Sequence, residues 1–165
     1  MTGTTRVIVG LNGSLGSLAA LYRAVPEAAA RSAVLVPVTA WQPSDGDDLR
    51  PLSELAYAAR ERVDTAFEQA FGGYPTNPVV HPMVVRGDAG PALVSAVGSQ
   101  GDLIVVGSAG HGRLRRALHG STAHYCRTHA ACRVVTVSPS ELLRSLELAA
   151  LSGTPLPLAA GAHAR

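Results

Sequence analysis

The chain has 165 residues, 47% of them apolar, and a net charge of +2 from 14 cations and 12 anions, which is one domain's length with ample core material and too little charge for a disordered chain or an electrostatic nucleic-acid binder. Every cation is arginine, so lysine Schiff bases, lysine general bases and the Walker lysine are excluded. No apolar run approaches the roughly 18 residues of a membrane span or forms a signal-peptide core, so the expected protein is cytoplasmic, with no nucleic-acid and no membrane contact.

Residues 7–11 form a short β-branched run closed by the turn signal Asn12-Gly13, the pattern of a strand buried on both faces. From residue 14 to 31 the period changes: Leu18, Leu21, Val25 and Ala28 recur at three or four, with Ser14 or Ser17 as N-cap. Pro26 interrupts that stretch and leaves a kink or a slipped boundary open. Residues 34–40 read as a second buried strand in which Pro37 requires a bend or an unpaired side. Leu52, Leu55, Ala59, Val63, Ala66, Phe67 and Ala70 mark a long amphipathic helix ending near Gly72-Gly73. Trp41 and Tyr57 read as packing residues.

Residues 79–85 predict a third strand with Pro82 inside it, and two prolines in neighbouring elements suggest a sheet edge. Residues 88–97 predict a helix capped by Asp88, with Pro91 in its first turn. Residues 103–106, Leu-Ile-Val-Val, are the clearest buried strand and end in Gly107-Ser108-Ala109-Gly110-His111-Gly112. A helix opening at Gly120-Ser121-Thr122 runs to about His129, and Val134, Val135, Thr136 and Val137 supply a fifth strand. Strands and helices alternating at this spacing predict an α/β fold with a parallel sheet and helices on both faces. The domain is placed at 1–137. Residues 138–165 read as a tail, a short helix over 141–151 followed by a loose segment.

Cys126 and Cys132, six apart, match neither C-x-x-C nor zinc spacing and read as buried structural thiols. His119, His124 and His129 recur at five, off one helical face, and suggest no metal site. No nucleophile triad is recognisable, so no catalytic residue is assigned.

In an open parallel sheet ligands sit beyond the carboxyl ends of the strands. Two loops leave such ends carrying glycine: Gly10, Leu11, Asn12, Gly13 and Ser14 after the first strand, and the run from Gly107 after the fourth. Gly107 and Gly110 are expected to turn with positive φ and to let a phosphate approach the amides, while Gly120, Ser121 and Thr122 place amides and hydroxyls at a helix N-terminus, where the dipole favours an anion. Arg113, Arg115 and Arg116 suit phosphate contact and equally a solvated loop, and His111 leaves the same two readings open.

Gly107, Gly110, Gly120 and Ser121 fall as G-x2-G-x9-G-[S/T] after a Val-Val-Gly strand. That spacing resembles the nucleotide-binding signature of the universal stress protein family. Val-Gly-Leu-Asn-Gly-Ser, Ala-Trp, Gly-Asp, Asp-Leu-Ile-Val-Val-Gly-Ser and His-Ala-Ala-Cys-Arg-Val-Val extend the similarity over residues 7–137. The resemblance implies an open five-stranded sheet of order 3-2-1-4-5 and a stress-response regulator that binds ATP or another adenylate, not an enzyme, with any hydrolysis slow and incidental. It implies a homodimer paired through Val134, Val135, Thr136 and Val137, with further protein partners unidentified.

By the same resemblance Gly107, Gly110, Gly120 and Ser121 hold phosphates with Ser108 and Thr122 close by, and Val38 stands where main chain meets adenine. Asn12 occupies the place of an aspartate. It keeps an acceptor but gives up the charge that a magnesium ion would use. Arg133 stands where proline is commoner. The alternative is an interaction module on the same fold that has lost nucleotide binding. Gly110→Ala and Gly120→Ala should each weaken ATP binding about tenfold, or 1.4 kcal/mol, in equilibrium binding with labelled ATP; unchanged affinity in both would remove the phosphate loop.

Overall fold

The computed structural model describes residues 3–108 and 121–153. Five strands, β1 (Arg6–Gly10), β2 (Val34–Trp41), β3 (Met83–Arg86), β4 (Leu103–Gly107) and β5 (Arg133–Val137), form one sheet in the order β3-β2-β1-β4-β5. Every neighbouring pair is parallel. Helices α1 (Leu15–Ala30), α2 (Leu52–Phe71), α3 (Ala89–Ser95), α4 (Thr122–His129) and α5 (Pro139–Ser152) connect and flank them. The strand order predicted through the family resemblance is the order observed, and β1 lies beside β4.

The strand middles are mostly apolar because both faces are covered, with Thr39 of β2 the buried polar exception. Side chains alternate between two cores: Val7, Val9, Leu35, Leu103 and Val105 face α1, α2 and α5, while Ile8, Val36, Val38, Ile104 and Val106 face α3 and α4. The α2 face predicted from periodicity is buried from Leu55 to Ala70, but Leu52 at its start is 48% exposed. Gly72 ends α2 in the left-handed conformation.

Three expectations are corrected by packing. Pro26 does not break α1, which runs unbroken across it; Pro26 is exposed, so the Tyr22 carbonyl it cannot serve lies toward solvent. The third strand is four residues long instead of seven. Its earlier part meets β2 only at the bridge Leu35↔Val80, and the register that joins Leu35 to Val80 and Val38 to Met83 sets Pro37 opposite Pro82. Pro37 has no N–H to give the His81 carbonyl, so the ladder loses one bond there, while by alternation from His81 the Pro82 nitrogen turns to the open edge and costs the ladder nothing. The sheet edge that the two prolines suggested is β3, and Pro37 stands on its interior neighbour β2. Tyr57 is 65% exposed and Trp41 lies under the Arg86 guanidinium at 5.9 Å, so neither packs in the core.

The segment expected as a short helix is α5, fourteen residues long. Ser138 and Glu141 form a capping box at its start, Pro139 occupies its first turn, and Gly153 ends it with φ 61°. Leu142 and Leu146 join the α1-side core. The loose remainder predicted beyond residue 153 lies outside the described residues.

Asp102 fixes the turn that leads into β4. Buried at 2% exposure, its carboxylate accepts from the N–H groups of Arg6 (2.9 Å), Gly98 (2.7 Å) and Ser99 (3.0 Å) and from the Ser99 hydroxyl (2.9 Å). Burial raises its pKa, but those donors outweigh burial and hold it below the ordinary 3.8. A depressed native pKa contributes stability that is fully present above the unfolded value and is lost as pH falls through the native one. Asp102→Asn should therefore cost about 2 kcal/mol at pH 7, because an NH2 group would face N–H donors. In denaturant melts the gap between variant and wild type should close as pH falls below the carboxylate range; a gap independent of pH would refute this role.

Candidate functional site

β1 ends at Gly10 and the chain turns into α1 through a short set of local bonds. The Asn12 side-chain oxygen accepts from the Ser14 N–H at 3.0 Å, Gly13 takes φ 81°, and the Ser14 hydroxyl caps α1 by accepting from the Ser17 N–H at 3.1 Å. Leu11 N–H donates to the Val38 carbonyl at 2.9 Å. At the other loop, Ser108 N–H donates to the Val137 carbonyl at 2.8 Å, and Ser121 caps α4 by accepting from the His124 N–H at 3.2 Å.

These pieces converge on a cleft of about 490 Å³ at the carboxyl ends of β1, β2 and β4. Of the residues singled out by sequence, Gly10, Leu11, Asn12, Ser14, Val38, Gly107, Ser108, Ser121 and Thr122 line it. Gly110, His111 and Gly120, with Arg113, Arg115 and Arg116, lie outside the described residues. Val38, Ala40, Leu93 and Val106 give the cleft an apolar wall, and the first turns of α1 and α4 give it a polar one. The N–H groups of Leu15 and Gly16 have no partner among the described residues, as expected in a helix's first turn. No described residue lining the cleft carries a charged side chain. The N-termini of α1 and α4, each worth roughly half a positive charge, are thus its main described electrostatic features, with the first residues of α3 and α5 also at the rim.

A model described as the universal stress protein family matches residues 3–138. The chain belongs to the universal stress protein family. It is 30% identical over 131 residues to a universal stress protein of Mycobacterium tuberculosis, found alike in strains CDC 1551 and H37Rv, a match covering 79% of this chain and 47% of that protein. The chain thus spans about half the length of the curated relatives it matches. Among solved structures, a universal stress protein in complex with cAMP is 27% identical, covering 84% of this chain and 99% of that one with a TM-score of 0.56. The universal stress protein UspA of Lactobacillus plantarum, 23% identical over 83% of this chain and 99% of its own, shares the fold with a TM-score of 0.60.

Within this family fold Gly107 serves a purpose the spacing did not reveal. Its φ is not positive, contrary to expectation. A Cβ there would sit 2.3 Å from the Gly16 carbonyl carbon and 2.4 Å from its oxygen, so the missing side chain lets α1 lie directly on the end of β4. Gly16 answers it, since its own Cβ would stand 3.0 Å from the Ser108 carbonyl. The amide of Ser108, expected near a phosphate, is taken up by Val137. Sequence reasoning missed Gly16 and Ala40. Ala40 follows Val38 by two along one strand face, a signal that alternation carries.

Both cysteines are free, Cys126 buried and Cys132 half-buried. Burial, and then the neighbouring Cys132, pushes the Cys126 thiol up to about 11, while burial raises Cys132. Thiols held in that state are poor nucleophiles.

Gly107→Ala should destabilise the fold by about 3 kcal/mol, since backbone on both sides cannot yield. Gly10→Ala, whose Cβ would meet only side chains, Leu93 at 3.3 Å and Val106 at 3.7 Å, should cost about 1 kcal/mol. Equal denaturant midpoints for the two variants would contradict the close-approach account.

Proposed function

We propose that the cleft binds an adenine nucleotide, ATP or another adenylate, and that occupancy regulates how the protein pairs with partners in a stress response. The observation that carries this reading is the convergence, within one cleft, of an apolar wall fit for a base and two helix N-termini fit for phosphate oxygens. The cAMP complex of a relative 27% identical over most of both chains supports it.

Gly107, Gly110, Gly120 and Ser121 are proposed to bound the phosphate side, with Ser108, His111 and Thr122 near them, and Gly10, Leu11, Asn12, Ser14 and Val38 to bound the rest. The Val38 carbonyl already accepts from Leu11, so a base would use its second lone pair or the apolar side chain. Binding without efficient turnover fits the described lining, which offers neither a carboxylate for magnesium nor a general base.

The partner is proposed to be a second copy of the chain, joined through Val134, Val135, Thr136 and Val137. The Val137 carbonyl is directed at β4, so by strand alternation Val134 and Thr136 turn their backbone groups to the open side of β5. An uncovered edge of that kind favours pairing. A second reading, an interaction module without nucleotide, is favoured by one observation: Asn12 and Ser108 spend an acceptor and an amide on the protein itself.

Calorimetric titration with ATP, AMP and cAMP separates the readings. At least one adenylate should bind and raise the melting temperature, and Ala40→Phe, which fills the apolar wall, should weaken it about tenfold. The absence of any heat or thermal shift at millimolar adenylate would leave the module reading.

A further inference from the structure

Helix α5 begins at Pro139, one residue past the span matched by the family model. Its inner face, Leu142 and Leu146, packs into the core beside α1 and Val137. Its outer face repeats at helical spacing as Ser140, Leu143, Arg144, Glu147, Leu148 and Leu151. On this face Leu143 is 57% exposed, Leu148 61% and Leu151 86%, more bare leucine than an isolated surface helix needs. Arg144 and Glu147, both exposed, enter no ion pair among the described residues.

A twofold contact must be complementary to itself, and this face meets that condition in an antiparallel arrangement. With the symmetry axis passing between Ser145 and Leu146, Leu143 opposes the Leu148 of the second copy, and Arg144 opposes its Glu147. Each pairing then occurs twice, apolar on apolar and cation on anion. An axis perpendicular to the sheet that set β5 antiparallel to its mate would also set α5 antiparallel to the second α5 on the same side of the sheet, since α5 directly follows β5 and lies on the α1 face.

We propose that the outer face of α5 is a second layer of the homodimer interface, docking on the α5 of another copy through Leu143, Leu148 and reciprocal Arg144–Glu147 pairs. This rests on the homodimer reading given above and extends it to an element outside the family domain. The charge pattern is what selects a second copy as occupant: a face with one cation and one anion placed symmetrically about its midpoint neutralises itself.

Sedimentation equilibrium on the full-length chain tests it. Leu148→Arg should weaken dimerisation at least about tenfold. Arg144→Glu and Glu147→Arg should each weaken it about five- to tenfold, and the two together should return to within about twofold of wild type, because the reversed charges again meet opposites. All three positions are exposed, so circular dichroism should remain unchanged. Thr136→Pro, which removes an outward N–H from β5, probes strand pairing separately. Dimers lost in Thr136→Pro but unaffected by Leu148→Arg and both charge reversals would overturn the α5 contact and leave the strand pairing standing. Charge reversals that weaken dimerisation without recovery in the double variant would overturn the reciprocal pairing. A wild-type chain that stays monomeric at about 100 μM would overturn both readings and assign the leucine face to a different partner.

Discussion

Backbone meets backbone where the first turn of α1 lies on the last residue of β4, and the architecture of the cleft depends on that contact. Gly16 and Gly107 leave no room for a Cβ on the Gly107 side, so the helix axis is drawn onto the seam between β1 and β4. That seam is where the sheet changes direction, with β2 and β3 laid to one side and β4 and β5 to the other. Loops leaving β1 and β4 therefore part to opposite faces and open a crevice between them. Without the close approach α1 would stand off the sheet and its N-terminus would no longer point into the same space as that of α4.

The described part of the cleft works with dipoles instead of formal charges. Asn12 closes its own turn through Ser14, and the walls are otherwise glycine, alanine, valine, leucine, proline, serine and threonine. Fixed N–H groups whose orientation was set during folding meet an anion with little reorganisation. The nearest buried carboxylate of consequence, Asp102, belongs to the amino end of β4, where it ties β1 to the preceding turn. Charge is thus spent on assembling the sheet and kept off the described cleft lining.

Helix α5 adds an element that the sheet does not need for closure. It fastens to α1 through two leucines and an ion pair of Arg23 with Glu141 at 4.0 Å, which is solvent-exposed and worth little. Apolar packing therefore holds the helix in place, and its remaining leucines are left for other contacts. Pro139 also reaches the rim of the cleft, so the helix that follows the edge strand β5 begins beside the cleft.

Much of this was legible in one sequence. The apolar runs marked the strands because a doubly covered parallel sheet admits little that is polar in its middle, and the Ser121 cap of α4 and the Asn12-Gly13 turn carry local backbone requirements that show in residue type. Gly110, His111 and Gly120 remain as sequence expectations, lying outside the described residues. What local pattern could not convey was any fact requiring two distant segments at once: that Pro37 and Pro82 face each other across one ladder step, that Gly107 is bare to admit Gly16, that α5 turns back onto α1. Sequence determined which segments are strand or helix; tertiary structure decided which glycine serves the fold and which faces are left open, because those depend on separations through space that no periodicity along the chain encodes.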